Sequence, residues 1–170
     1  MRWIRLLWAL FRAKFSSSIS VNDTTVLPFR VWITDIDVSI MNHAAILTVM
    51  EAGRIDFMVR SGFFKLARKK KWYFVSAAIN AQFVKPLKLF QKASVTTRVF
   101  HADDTWIYME QKILRSGNVV AYCFVKSKVK KGRDNILTTE IVNELGADQL
   151  PVGNTDLVES YEAVNKALKV

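Results

Sequence analysis

A chain of 170 residues with 51% apolar content is long enough for one domain with a sizeable core and too apolar to be disordered. Its single cysteine excludes an internal disulfide framework and fits a reducing, cytoplasmic setting, and six scattered glycines form neither a phosphate loop nor a dinucleotide fingerprint. The net charge of +10 is uneven: residues 134–170 hold seven acids and two bases, so the basic excess lies entirely in residues 1–133.

The first fifteen residues, MRWIRLLWALFRAKF, read as a helix. Its apolar face carries Trp3, Ile4, Leu6, Leu7, Trp8, Leu10, Phe11 and Phe15, and Arg2, Arg5 and Arg12 lie opposite. The uninterrupted apolar core is short for a secretory signal and far too short to span a bilayer. A basic amphipathic helix with two tryptophans can lie in a membrane interface, or it can pack its apolar face on the domain or on a partner subunit. Residues 16–27 are polar and read as a linker. Residues 28–36, PFRVWITDI, read as a strand entered through Pro28. Asn42 suits an N-cap, so a helix is predicted from His43 to about Arg60, with Gly62 in the left-handed position beyond it. Apolar residues run nearly all round this helix, the pattern of a helix enclosed by its surroundings, and Glu51 and Arg54 can pair at i,i+3.

A short basic helix follows at 63–71, then a strand, WYFVSAAINAQFV, and a turn, KPLKLFQ. Three further strands come at regular spacing. In TWIYMEQKILRS, the residues Trp106, Tyr108, Glu110 and Lys112 fall on one side, and Ile107, Met109, Gln111 and Ile113 on the other. Ser116-Gly117-Asn118 makes a hairpin into VVAYCFVKSKVKK, where Cys123 reads as a small buried hydrophobe. His101, in FHADD at a strand end, reads as a surface turn residue. Two helical patterns close the chain, TTEIVNEL and TDLVESYEAVNKAL. The organisation is therefore a helix at 1–15, a linker at 16–27, a domain at 28–133 and an acidic helical tail at 134–170. The order of strand, long helix and antiparallel meander is an α+β layer architecture.

Within that order one stretch concentrates polar chemistry: TDIDVSIMNHAAILTVMEAGR, residues 34–54. D-I-D…M-N-H-A-A-I-L…E-A-G-R, together with the later W-I-Y-M-E-Q and FVKPLKLFQ, resembles the hot-dog fold thioesterase superfamily, in its 4-hydroxybenzoyl-CoA thioesterase-like branch. The resemblance covers about residues 28–133 and implies an antiparallel sheet wrapped around a long central helix. It further implies hydrolysis of acyl or aryl thioesters of coenzyme A or of a carrier protein. Asp37 matches the family's catalytic carboxylate, His43 a position that orients the thioester, and the backbone around His43 and Ala44 the oxyanion site. Asn42 belongs to the same catalytic turn. The chain departs from the family in an Asp37–His43 spacing shorter by one residue, and in Ile46 where a tyrosine is usual.

The chemistry fits these residue types. A carboxylate beside an apolar helix can activate water or attack directly, and helix N-terminal N–H groups lack intrahelical partners and carry positive partial charge. Asp35 and Asp37 can equally do no more than cap a turn, and His43 can be an ordinary helix-start residue. The basic clusters supply candidate contacts for coenzyme A phosphates: Arg68, Lys69, Lys70 and Lys71 in one, Lys126 and Lys128 in the other. A plain solvated face is the other reading of each cluster. No cofactor, metal or nucleic acid is expected, because no Cys/His ligand spacing and no RNA-binding strand motif is present. A single curled sheet leaves an edge strand open, so a homodimer or a dimer of dimers is expected. A non-catalytic module that binds acyl thioesters or a protein partner is the alternative reading.

Overall fold

The computed structural model describes residues 2–168, without the Arg2 side chain, so the expected place of Arg2 on the polar face of the first helix lies outside it. The chain begins with α1 (Arg2–Lys14) and β1 (Thr25–Arg30). A 3-10 turn, Ile33–Asp35, leads to a small hairpin of β2 (Ile36–Asp37) and β3 (Ile40–Met41). Then come α2 (His43–Arg60), α3 (Phe63–Lys70), β4 (Tyr73–Phe83), β5 (Lys92–Ala102), β6 (Ile107–Arg115) and β7 (Asn118–Lys131). The short β8 (Asp134–Ile136), α4 (Thr138–Leu145) and α5 (Thr155–Ala167) complete the fold.

One antiparallel sheet runs β1-β5-β6-β7-β4, with β8 added to β7. It curls around α2, the hot-dog arrangement that the sequence resemblance implies. Alternation along β6 works as the sequence predicts. Ile107, Met109, Gln111 and Ile113 are buried towards α2, and Gln111 Nε2 donates to the Met50 carbonyl at 2.8 Å and to Thr97 Oγ1 at 2.9 Å. Cys123 also faces inward, fully buried, and burial pushes its thiol up to about 11. The β6–β7 turn places Ser116 and Gly117 at positive φ, as a two-residue hairpin requires.

α2 is enclosed from both sides. Ile46, Val49, Met50, Ala52, Gly53, Asp56 and Phe57 are buried, some against the sheet and some against α1. The face of α1 that packs is not the aromatic one, and of the expected apolar face Leu6 alone is buried. Leu6, Ala9 and Ala13 are buried, while Trp3, Ile4, Leu7, Trp8, Phe11 and Phe15 are exposed. The reason is electrostatic. Asp56 is completely buried on α2, and Arg12 reaches Asp56 Oδ1 at 3.3 Å while Arg60 reaches Oδ2 at 3.5 Å. A buried carboxylate needs cations, so the arginine-bearing side of α1 turns inward. Burial still raises the Asp56 pKa, against the pull of Arg60 and Arg12.

The strand expected over residues 28–36 stops at Arg30. Val31 exchanges backbone hydrogen bonds with the β4–β5 loop, donating to the Gln91 carbonyl at 3.0 Å and accepting from Phe90 at 2.9 Å. The Asp35 carboxylate then accepts from the Trp32 N–H at 2.8 Å and coils the chain into the 3-10 turn. Pro28 is tolerated because β1 is an edge strand. His101 is not a surface residue: it lies at a bulge in β5, mostly buried against Tyr108.

The close approach of α2 to the sheet rests on Gly53. A Cβ there would lie 2.9 Å from Thr97 Oγ1, 3.0 Å from Val95 Cγ1 and 3.2 Å from Gln111 Nε2. All three neighbours are fully buried, and two are fixed to each other by a hydrogen bond. Gly53→Ala gains about 1 kcal/mol of helix propensity but loses about 1–3 kcal/mol to overpacking. We expect a net destabilisation of about 1 kcal/mol, read as a lower midpoint in urea. An unchanged or higher midpoint would show that the sheet gives way freely at this point.

Candidate active site

The polar cluster singled out in the sequence assembles at the N-terminus of α2. Asn42 Oδ1 accepts from the Ala45 N–H at 2.7 Å, and the Asn42 carbonyl accepts the first helical bond, from Ile46, at 3.1 Å. That is N-cap geometry. Among the described residues, no partner is recorded for the N–H groups of His43 and Ala44. Both residues are exposed. Two free donors at the positive end of an 18-residue helix are what an oxyanion site requires. The Asn42 carboxamide is thus committed to capping, and it shapes the turn that leaves those donors open.

The two aspartates do different things. Asp35 is buried, and its carboxylate holds both the Trp32 N–H and the guanidinium of Arg5 from α1. Its carbonyl accepts from the Asn42 N–H at 2.8 Å. Asp35 therefore ties the turn, α1 and the α2 cap into one unit. Asp37 is exposed, and no hydrogen bond or ion pair of its carboxylate is recorded among the described residues. It pairs with Ile40 across the two-residue turn Val38-Ser39, where Val38 sits at φ +58° although it is β-branched. Such a conformation is strained and persists only where the surroundings impose it. Here the surroundings are the Asp35–Asn42 bond behind the hairpin and the bond from the Met41 N–H to the Leu87 carbonyl, 2.7 Å.

The His43 ring stacks on Phe83, with centroids 4.1 Å apart and planes 30° apart. Phe83 ends β4, which pairs with β7 on one side and forms one edge of the sheet. Along that edge Tyr73, Ile79 and Phe83 are exposed. Further along α2, Arg54 donates to Gln111 Oε1 at 2.7 Å. Burial lowers the Arg54 pKa, opposed by Cys123 and Glu51. This interior network braces the helix against the sheet.

The basic clusters are not brought to the helix start within one chain. Arg68, Lys69, Lys70 and Lys71 follow the C-terminus of α2, about 27 Å along the axis from His43. Lys70 pairs with Glu144 of α4 at 2.5 Å, while Arg68, Lys69 and Lys71 are exposed. Lys126 and Lys128 lie on the convex face of the sheet, because alternate residues of β7 point away from α2. Lys126 is taken up by Glu162 of α5 at 2.5 Å and lies 4.1 Å over the Trp106 ring, with Lys128 4.7 Å over the same ring. Tyr108, Phe124, Val158 and Tyr161 form a second core that seats α5 there. Burial raises the Glu162 pKa, but its bond from Lys126 outweighs this and holds it below the usual glutamate range. The sequence carried no local signal for this pair, since 36 residues separate its members.

A curled antiparallel sheet around one long helix, with a cap that leaves two N–H groups at the helix start without a partner among the described residues, is the arrangement of a hot-dog protein of the thioester-hydrolase class. Comparison with known proteins agrees. Residues 31–129 match the family described as the thioesterase-like superfamily, and the chain belongs to it. Protein THEM6 of Drosophila melanogaster is 24% identical over 138 residues, covering 79% of this chain and 72% of that protein. A probable thioesterase from Bartonella henselae superposes with a TM-score of 0.62 at 23% identity, covering 68% of this chain and 98% of that one. SAV2348 of Staphylococcus aureus, solved in complex with CoA, gives a TM-score of 0.64 at 13% identity and covers 82% and 93%. These structural likenesses are of fold.

The division of labour between the aspartates has a direct consequence. Asp35→Ala strands the Arg5 guanidinium and the Trp32 N–H, and should cost about 3 kcal/mol. Asp37→Ala removes an exposed side chain and should change stability by no more than about 0.5 kcal/mol. Chemical denaturation of both variants reads the difference. Equal losses would mean that the hairpin, rather than the Asp35 contacts, carries the stability.

Proposed function

We propose that this chain hydrolyses acyl-CoA thioesters at the N-terminus of α2, with Asp37 as general base or nucleophile. The observation that supports the reading is the pair of N–H groups at His43 and Ala44 without a partner among the described residues, at the start of a helix whose cap is bonded to the same turn and hairpin that carry the exposed Asp37. The thioester carbonyl oxygen would accept from those two donors, which stabilise the charge that develops on it. As base, Asp37 takes a proton from water while the water oxygen bonds to the carbonyl carbon. The C–S bond then breaks, and the sulfur leaves as thiolate and takes up a proton. His43, held by Phe83, would orient the thioester.

The working unit in this reading is a dimer. An antiparallel pairing of two β4 edges sets the Tyr73 end of one strand against the Phe83 end of the other. The exposed bases of the partner's α3 then border the His43 site, which one chain alone does not achieve. Arg68, Lys69 and Lys71 are free for this role, as Lys70 is paired with Glu144. Coenzyme A phosphates would lie there. That SAV2348 was solved with CoA supports the choice of thiol. Lys126, paired with Glu162, and Lys128, over Trp106, serve the seat of α5 instead.

The test is release of free thiol from a panel of acyl-CoAs by the purified chain. Asp37→Asn keeps the side-chain volume but supplies no base, so kcat should fall by roughly 10²–10⁴ with the folded state intact. His43→Ala should lose less, because the backbone donors survive it. If no acyl-CoA is turned over, the chain is better read as a module that binds thioesters without cleaving them; full activity in Asp37→Asn would instead overturn Asp37 as the base or nucleophile.

A further inference from the structure

The outward face of α1 plays no part in the chemistry above, and its composition is unusual for a surface. Trp3, Ile4, Leu7, Trp8, Phe11 and Phe15 are between 45% and 73% exposed. They form one ridge, because the inward side of the helix is taken by Leu6, Ala9, Ala13 and the two arginines bound to Asp35 and Asp56. The ridge continues across a groove between α1 and β1 to Trp32, itself half exposed. Apolar surface of this extent marks a contact site. Arg5 and Arg12 are neutralised by Asp35 and Asp56, and the exposed charges beside the ridge, Lys14 and Arg30, are both basic.

We infer that this face docks the protein on a bilayer containing anionic lipid, with α1 lying in the plane of the interface. Thirteen residues make a helix of about 20 Å, against about 30 Å of hydrocarbon, so α1 does not cross. The ion pairs of Arg5 and Arg12 hold it flat on α2, which presents its tryptophans and phenylalanines together at headgroup depth. The basic rim complements anionic headgroups, each base adding electrostatic attraction. A second copy of the chain is the weaker candidate. Of the two sheet edges, the dimer proposed above uses β4, which lies at the opposite end of the strand order from β1 beside α1, so that dimer leaves the ridge uncovered.

Co-sedimentation of the full chain with vesicles tests this, using phosphatidylcholine with phosphatidylserine, and phosphatidylcholine alone. The wild-type chain should pellet with the mixed vesicles and much less with the neutral ones. Leu7→Ser/Phe11→Ser should weaken binding at least about tenfold, with circular dichroism and elution volume unchanged, since both side chains are exposed. Lys14→Glu/Arg30→Glu should weaken binding to the mixed vesicles and leave the neutral ones unaffected. A chain that stays in the supernatant with both lipids overturns the inference. So does vesicle binding that survives the apolar pair of substitutions, or a ridge-dependent oligomer in gel filtration with no vesicle binding.

Discussion

Three segments of the chain meet at Asp35. One oxygen draws in the Trp32 N–H and curls the backbone out of β1, and the same group binds Arg5 from a helix thirty residues earlier. The Asp35 carbonyl fixes Asn42, and Asn42 caps α2. Remove this anchor and three things loosen together: the hairpin that presents Asp37, the open first turn of α2, and the N-terminal end of α1. The cost of burying a carboxylate is met by a guanidinium and a backbone donor, and that pairing makes the arrangement specific. Asp37, two residues on, has none of these obligations, which leaves it available for chemistry.

The same logic organises the rest of the molecule. A long helix with apolar residues on nearly every side needs two covers. The sheet supplies one and α1 the other, while α5 closes the convex face through Tyr161 and Glu162. At each junction a buried or half-buried acid meets a base from a distant segment: Asp56 with Arg12, Glu162 with Lys126, Glu110 with Arg98. The strongly basic composition is partly spent on these pairs. The β4 edge and the ridge of α1 stay open, and they lie at opposite ends of the strand order, the ridge being beside β1. In the two proposals above, the first would take a second copy of the chain and the second a lipid surface, and the two do not compete.

Much of this was legible in the sequence, because it rests on local rules. Alternation placed the two faces of β6, Asn42 marked the start of α2, and Ser116-Gly117 marked the β6–β7 hairpin. The ordered motif from Asp35 to Arg54 pointed to the family. What escaped were properties set by partners far along the chain. A helical wheel ranks the faces of α1 by hydropathy and leaves the aromatic face either packed on protein or laid in a membrane interface; the buried acids Asp35 and Asp56, which draw in Arg5 and Arg12, turn that face away from the domain. Lys126 looked like a free phosphate ligand because Glu162 is 36 residues away. Alternate residues of β7 do share a face, but which face looks at α2 depends on the packing of Val125 and Val129.

The account stands on the claim that the thioester carbonyl is received by the first turn of α2. A crystal structure of the Asp37→Asn variant with a bound acyl-CoA tests it most directly. We expect the carbonyl oxygen within about 3 Å of the His43 and Ala44 N–H groups, the residue 37 side chain facing the carbonyl carbon, and the phosphates against the partner's α3. A thioester bound away from the helix start, with those two N–H groups still open to solvent, would contradict it.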